Sequence, residues 1–191
     1  DHKFMNGNQG ISDGAIKSNL NVYFAYPMTP ATSVMNELAS KQNKNLKVIE
    51  LENEIAVINS AIGSSAVGAR AMVGTSGGGF DLMTEGFSMA AQAEIPMVVY
   101  LASRPGPGTG VATYTGQGDL KLALNCGHGE FFRMVLAPGS PEECEELISQ
   151  SFYLTQKFKT QAILLSDKHL AESFFTLNNE GKITKSSKSV S

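Results

Sequence analysis

The chain has 191 residues, 42% hydrophobic and 17% charged, with a formal net charge of −3. That composition suits one globular domain with a proper core, and it excludes a disordered chain and the basic footprint of a nucleic-acid binder. No apolar run approaches the roughly 20 residues of a membrane span. The start, DHKFMNGNQG, has no initiator Met and no apolar h-region, so it is not a signal peptide and a fragment or processed piece is expected.

Asn8 to Leu20 places small and apolar residues at helical spacing, with Gly10 and Gly14 permitting close packing. Val22 to Ala25 is a short strand. Tyr26-Pro-Met-Thr-Pro30 is a turn, with Thr29 expected as N-cap and Pro30 in the first turn of a helix to Ser40. Lys47 to Leu51 reads as a buried strand. Glu52 to Gly68 reads as a slim helix, with Glu52 and Glu54 in its first turn and Ile55, Ile58 and Ile62 on one face. Ala71 to Thr75 is a strand, Ser76 to Gly79 a glycine turn, and Phe80 to Gln92 a helix. Ile95 to Ala102 is the most apolar strand, expected at the centre of the sheet.

Ser103 to Gly118 is a long loop rich in glycine, and such loops in compact α/β domains are usually functional. Asp119 is expected to cap a short helix to Asn125, and Phe131 to Ala137 is a strand. Ser140-Pro-Glu-Glu143 is a capping box that opens a helix to about Lys157. Gln161 to Ser166 is expected as the last strand. From Thr176 the composition turns to Asn, Lys and Ser, so a domain over 1–175 and a polar tail or linker over 176–191 are expected. The alternation predicts an α/β fold: a doubly wound, mostly parallel sheet of about six strands with helices on both faces.

Cys126 and Cys144 form no C-x-x-C pair, so the chain holds no iron–sulfur cluster alone, and the usage fits a reducing cytoplasm. Cys126-Gly-His128 is too sparse for zinc, and no metal site is expected on these side chains. His2, His128 and His169 read as structural or surface residues, without a nucleophile partner. The Ser76–Gly79 turn could cradle a phosphate, but the strand after it lacks the acidic residue of a dinucleotide fold, and a tight turn is the simpler reading. Glu54 stands at a strand's carboxyl end, where open α/β sheets hold ligands; charge complementarity at a helix start is the competing explanation. Arg104 follows the central strand, and its planar fork suits a carboxylate or phosphate. Thr29, Thr109, Thr113 and Thr115 add hydroxyls near strand ends.

Five stretches occur in order: Tyr26-Pro-Met-Thr-Pro30, Glu52-Asn-Glu-Ile-Ala56, Thr75-Ser-Gly-Gly-Gly79, Arg104-Pro-Gly-Pro-Gly-Thr-Gly110 and Thr115-Gly-Gln-Gly-Asp-Leu120. Together they resemble the α subunit of 2-oxoacid:ferredoxin oxidoreductases, in its thiamine-pyrimidine-binding domain, nearer the 2-oxoglutarate or broad 2-oxoacid branch than the pyruvate branch. The resemblance covers Asn6 to about Ser173. It implies that Glu54 hydrogen-bonds N1′ of the aminopyrimidine of thiamine diphosphate, as the one catalytic residue. It implies Thr29, Arg104 and Thr113 as substrate-binding residues, and Pro27, Thr29, Glu54, Ser76 and Gly77 as cofactor contacts. The implied activity is oxidative decarboxylation of a 2-oxoacid to an acyl-CoA, with electrons passed to ferredoxin. Family members usually carry Ile and Pro where Met28 and Gly78 or Gly79 stand, and the glycine is expected to loosen the turn. The chain also has no G-D-G motif for diphosphate. The resemblance therefore implies a β subunit carrying the diphosphate half, Mg²⁺ and a [4Fe–4S] cluster, with CoA and ferredoxin as further partners. Two other readings stay open: the α subunit of a non-oxidative thiamine-dependent decarboxylase, and a non-catalytic nucleotide-binding α/β module.

Overall fold

Apolar residues recur with strand and helix periods, and they build one element after another along the chain. In order these are β1 (His2–Met5), α1 (Gly7–Lys17), β2 (Val22–Ala25), α2 (Thr32–Ser40), β3 (Lys47–Glu50), α3 (Glu54–Ala66), β4 (Ala71–Thr75) and α4 (Gly77–Gln92). They continue as β5 (Met97–Ser103), α5 (Leu120–Asn125), β6 (Arg133–Leu136), α6 (Pro141–Phe158), β7 (Gln161–Asp167), α7 (Lys168–Glu172) and β8 (Phe175–Asn178). The structure, a computed structural model, describes residues 2–178.

Six strands form a parallel sheet in the order β3-β2-β4-β5-β7-β6. Period-two alternation sorts their side chains into two layers. Tyr23, Met72, Val98, Tyr100 and Leu164 face α1, α2 and α6. Val22, Phe24, Val73, Val99 and Ile163 face α3, α4 and α5. β5 is buried along its whole length, as its composition predicts. The predicted doubly wound α/β fold is therefore present. Among the described residues no helix is long and apolar enough to cross a membrane.

Several local expectations are corrected. Lys47 to Leu51 is not a buried strand: β3 is an outer edge of the sheet, paired among the described residues with β2 alone, and Ile49 is 38% exposed. Thr29 does not cap α2, which begins at Thr32 with Ala31 as a cap lacking any side-chain bond. The turn before it closes earlier, Ala31 N donating to the Met28 carbonyl at 3.0 Å across a cis Thr29–Pro30 bond. Glu52 lies outside α3, because Asn53 takes the cap and accepts from Ala56 N at 2.9 Å. Ile55 is 53% exposed, while Ile58 and Ile62 are buried. Asp119 makes no side-chain cap bond, since its carboxylate is engaged elsewhere. In the predicted capping box Ser140 Oγ does accept from Glu143 N, but the Glu143 carboxylate turns to Gly139 N at 2.6 Å.

Gln161 to Asp167 is not the last strand: β8 follows and pairs antiparallel with β1. The expected boundary at residue 175 falls inside β8, and residues 179–191 of the expected tail lie outside the described residues. Both cysteines are free and buried; burial, with Glu143 nearby, pushes the Cys144 thiol up to about 12.

Candidate functional site

β2 is followed by β3 on one side and paired with β4 on the other, so the strand order reverses between β2 and β4. Ligands of open α/β sheets bind in the crevice outside such a reversal. The register aligns Ala25 with Glu50 and Gly74, and Thr75 with Leu101. The segments after these strands therefore rise from one edge: Tyr26–Pro30, Asn53–Glu54, Ser76–Gly79 and the loop from Arg104.

Glu54 is the first residue of α3 and only 4% exposed. Its carboxyl lies against α4's first turn, so two helix N-termini, whose dipoles favour an anion, meet there. Oε1 of Glu54 is buried and has no hydrogen-bond partner among the described residues; Ser76 Oγ shares that condition. Buried polar atoms in native proteins are nearly always satisfied, so an orphaned buried carboxylate oxygen calls for a donor from elsewhere. Asn53, whose cap typically stabilises a helix by about 1 kcal/mol, fixes the start that carries Glu54.

Ser76 to Gly79 is not a turn: Ser76 is the N-cap and the three glycines form the first turn of α4. Each glycine admits a different neighbour. An added Cβ would stand 2.7 Å from the Asp119 carboxylate at Gly77, 2.8 Å from the Gly108 carbonyl at Gly78, and 2.7 Å from Glu54 Oε1 at Gly79. The expected loosening would fall on a helical first turn and not on a loop, because these glycines open α4. A side chain at 78 would press on the loop, and one at 79 would press on Glu54.

Arg104 is 8% exposed. Its Nη1 donates to the Thr29 carbonyl at 2.8 Å, and its Nε and Nη2 donate to the Thr109 carbonyl at 3.1 and 2.5 Å. The guanidinium thus joins the loop after β2 to the loop after β5. It has no carboxylate partner among the described residues. It lines a cleft of about 90 Å³ with Gly77, Gly78, Asp81, Thr109 and Asp119. A buried cation with spare donors beside a cleft suits an anionic ligand.

The long loop is anchored at both ends. Ser103 Oγ donates to Asp119 at 2.6 Å, and Gln117 Nε2 donates to Asp167 at 2.6 Å. Thr115 Oγ1 accepts from His169 N at 3.3 Å. Sequence reasoning gave Thr115 a possible ligand role and none to Gln117 or Asp119; their place in the Thr115–Leu120 stretch was the available signal. Thr109 contributes its carbonyl here. Thr29 is half-buried, whereas Pro27 and Thr113 are exposed. Among the described residues no group of three His, Cys, Asp or Glu side chains could hold a metal ion.

This arrangement, a parallel α/β domain with a carboxylate and an arginine near its topological reversal, has the architecture of ligand-binding open α/β domains. Residues 13–187 match the family described as pyruvate flavodoxin/ferredoxin oxidoreductase, thiamine diphosphate-binding, and the chain belongs to that family. It is 38% identical over 183 residues to the 2-oxoacid:ferredoxin oxidoreductase subunit alpha of Saccharolobus solfataricus, covering 89% of this chain and 29% of that protein. It is 39% identical over 175 residues to the 2-oxoglutarate synthase subunit KorA of Archaeoglobus fulgidus, covering 90% of this chain and 51% of that protein. A solved 2-oxoglutarate:ferredoxin oxidoreductase from Magnetococcus marinus, with 2-oxoglutarate, coenzyme A and succinyl-CoA bound, superposes with a TM-score of 0.89 at 37% identity. That match covers 93% of this chain and 31% of the other. The chain thus spans between about a third and a half of the proteins it matches.

Proposed function

We propose that the chain is the aminopyrimidine-binding and substrate-carboxylate-binding part of a 2-oxoacid:ferredoxin oxidoreductase α subunit. With a β subunit it would convert a 2-oxoacid, 2-oxoglutarate or a similar acid, to an acyl-CoA and pass electrons to ferredoxin. The observation that carries this reading is the buried Glu54 Oε1, at the sheet's topological reversal, with no hydrogen-bond partner among the described residues. When bound, thiamine diphosphate supplies the electron sink for decarboxylation. Glu54 would hold a proton at the ring nitrogen N1′, which suits an acceptor whose Oε1 has no donor among the described residues. Pro27, Thr29, Ser76 and Gly77 would hold the ring beside it. Thr29, Arg104 and Thr113 hold the substrate, with the spare N–H groups of Arg104 directed to its carboxylate. The diphosphate, Mg²⁺ and the [4Fe–4S] cluster would be held by the β subunit, a reading supported by the lack of a G-D-G motif and of a C-x-x-C pair in this sequence.

The nucleotide-module reading fares worse for a physical reason. The glycine turn of α4 already faces the Asp119 carboxylate, the Gly108 carbonyl and the Glu54 carboxylate, so a phosphate there would meet oxygen acceptors on three sides. Isothermal titration of the full-length subunit checks the choice. Thiamine diphosphate should bind only when the β subunit is present, and neither ATP nor NAD should bind. Binding of ATP or NAD by the subunit alone would overturn the proposal.

For Arg104, the expected result of Arg104→Ala is a rise in KM for the 2-oxoacid of about tenfold or more, with thiamine diphosphate binding little changed. Arg104 also ties two loops together, so the melting temperature should fall as well. An unchanged KM alongside lower stability would reduce Arg104 to its structural contacts.

A further inference from the structure

We propose that Asn8 is a positioning residue for Thr29: its amide clamps the Pro30 carbonyl and so fixes where the Thr29 hydroxyl meets substrate. The inference rests on the substrate role proposed for Thr29. Asn8 lies in the first turn of α1 and is 1% exposed. Its Nδ2 donates to the Pro30 carbonyl at 3.0 Å and to Ser33 Oγ. Its Oδ1 accepts from the Tyr100 hydroxyl at 2.6 Å.

The orientation of this amide follows from its neighbours. A carbonyl can only accept, so the nitrogen must face Pro30 and the oxygen must face Tyr100. Tyr100 must then donate. Burial raises its phenol well above the ordinary range, which keeps the proton in place. Tyr100 lies on β5, the fully buried strand, so the chain of bonds starts from a rigid part of the fold. Strand fixes ring, ring fixes amide, and amide fixes turn. From the other flank Arg104 holds the neighbouring Thr29 carbonyl. Consecutive carbonyls of the Thr29–Pro30 turn are thus gripped by two separate side chains.

Helix formation does not explain Asn8. Asn6 caps α1, accepting from Gln9 N at 2.9 Å in a full capping box. A buried amide beside an apolar layer costs desolvation free energy that an aliphatic side chain would not. Here its donor is directed at a loop of the candidate site.

The test uses the full-length enzyme assembled with its β subunit, measuring KM for 2-oxoglutarate, the Kd for thiamine diphosphate and the melting temperature. The variants are Asn8→Asp, Tyr100→Phe, Thr29→Ala and the pairwise combinations with Thr29→Ala. Asn8→Asp keeps the size and the acceptor for Tyr100 but sets an oxygen against the Pro30 carbonyl. KM should rise about tenfold while the Kd for thiamine diphosphate changes by less than about twofold. In the Thr29→Ala background the same change should add nothing, because residues acting through one group are not additive. An unchanged KM, or an effect that adds in full to Thr29→Ala, overturns the inference. Should Asn8→Asp fail to fold, Tyr100→Phe removes only the hydroxyl and is measured in the same cycle. A KM increase that vanishes with Thr29→Ala then supports the inference, and an additive or absent effect overturns it. A wild-type enzyme without 2-oxoacid turnover overturns the proposed function itself, which separates that failure from this one.

Discussion

Glu54→Gln is expected to slow C2–H exchange on bound thiamine diphosphate by at least about 100-fold, the usual scale of a lost acid–base group. The substitution keeps the length and shape of the side chain, so the α3 start and the packing on Gly79 should survive. What it removes is the carboxylate that can hold a proton. Exchange is read by NMR on the assembled enzyme and does not depend on substrate turnover or ferredoxin. Melting should stay close to wild type, because Glu54 Oε1 makes no hydrogen bond within the described residues that could be lost. Near-normal exchange in the variant would remove Glu54 from the site.

Gly79→Ala should do nearly the same damage without touching a functional group. The new methyl would stand 2.7 Å from Glu54 Oε1 and would also collide with the fully buried Thr75 side chain. Neither neighbour can withdraw freely: Glu54 is fixed by the start of α3, and Thr75 ends a buried strand. Overpacking of this kind costs about 1–3 kcal/mol. C2–H exchange should fall because the carboxylate is displaced. Gly63→Ala is the control, since nothing lies within 4 Å of a Cβ there. In a helix interior that change should be neutral or stabilising by up to about 1 kcal/mol. If Gly79→Ala kept wild-type exchange and stability, the contact between α4 and Glu54 would have no functional weight.

The alternation of short apolar runs with helical patterns made the parallel sheet and its central strand legible from the chain alone. Glu54 and Arg104 could be singled out because each followed a strand. What could not be read were relations between distant segments. Nothing local in Lys47 to Leu51 reports that the strand is an edge; only the strand order does. The glycines at 77 to 79 looked like a turn because glycine usually breaks helices. Their reason for being small is the approach of Asp119, Gly108 and Glu54 from elsewhere in the chain. Thr29 looked like a cap for the same cause: the groups that hold its turn, Asn8 and Arg104, lie 22 residues before Pro30 and 75 residues after Thr29. The pairings of Gln117 with Asp167 and Asp119 with Ser103 were invisible on the same ground.

The anchored loop from Arg104 to Gly118 bears on the energetics of recognition. Ordering a backbone costs about 1–2 kcal/mol per residue, and a flexible loop of this length would meet that cost whenever a ligand arrived. Here Ser103, Asp119, Gln117 and Thr115 tie the loop to the fold, and Arg104 holds it from within. Much of the entropy is therefore lost at folding, once, and not at each encounter. A small dianion entering the cleft would meet a guanidinium already aimed, and its affinity would not be reduced by the closure of a mobile lid.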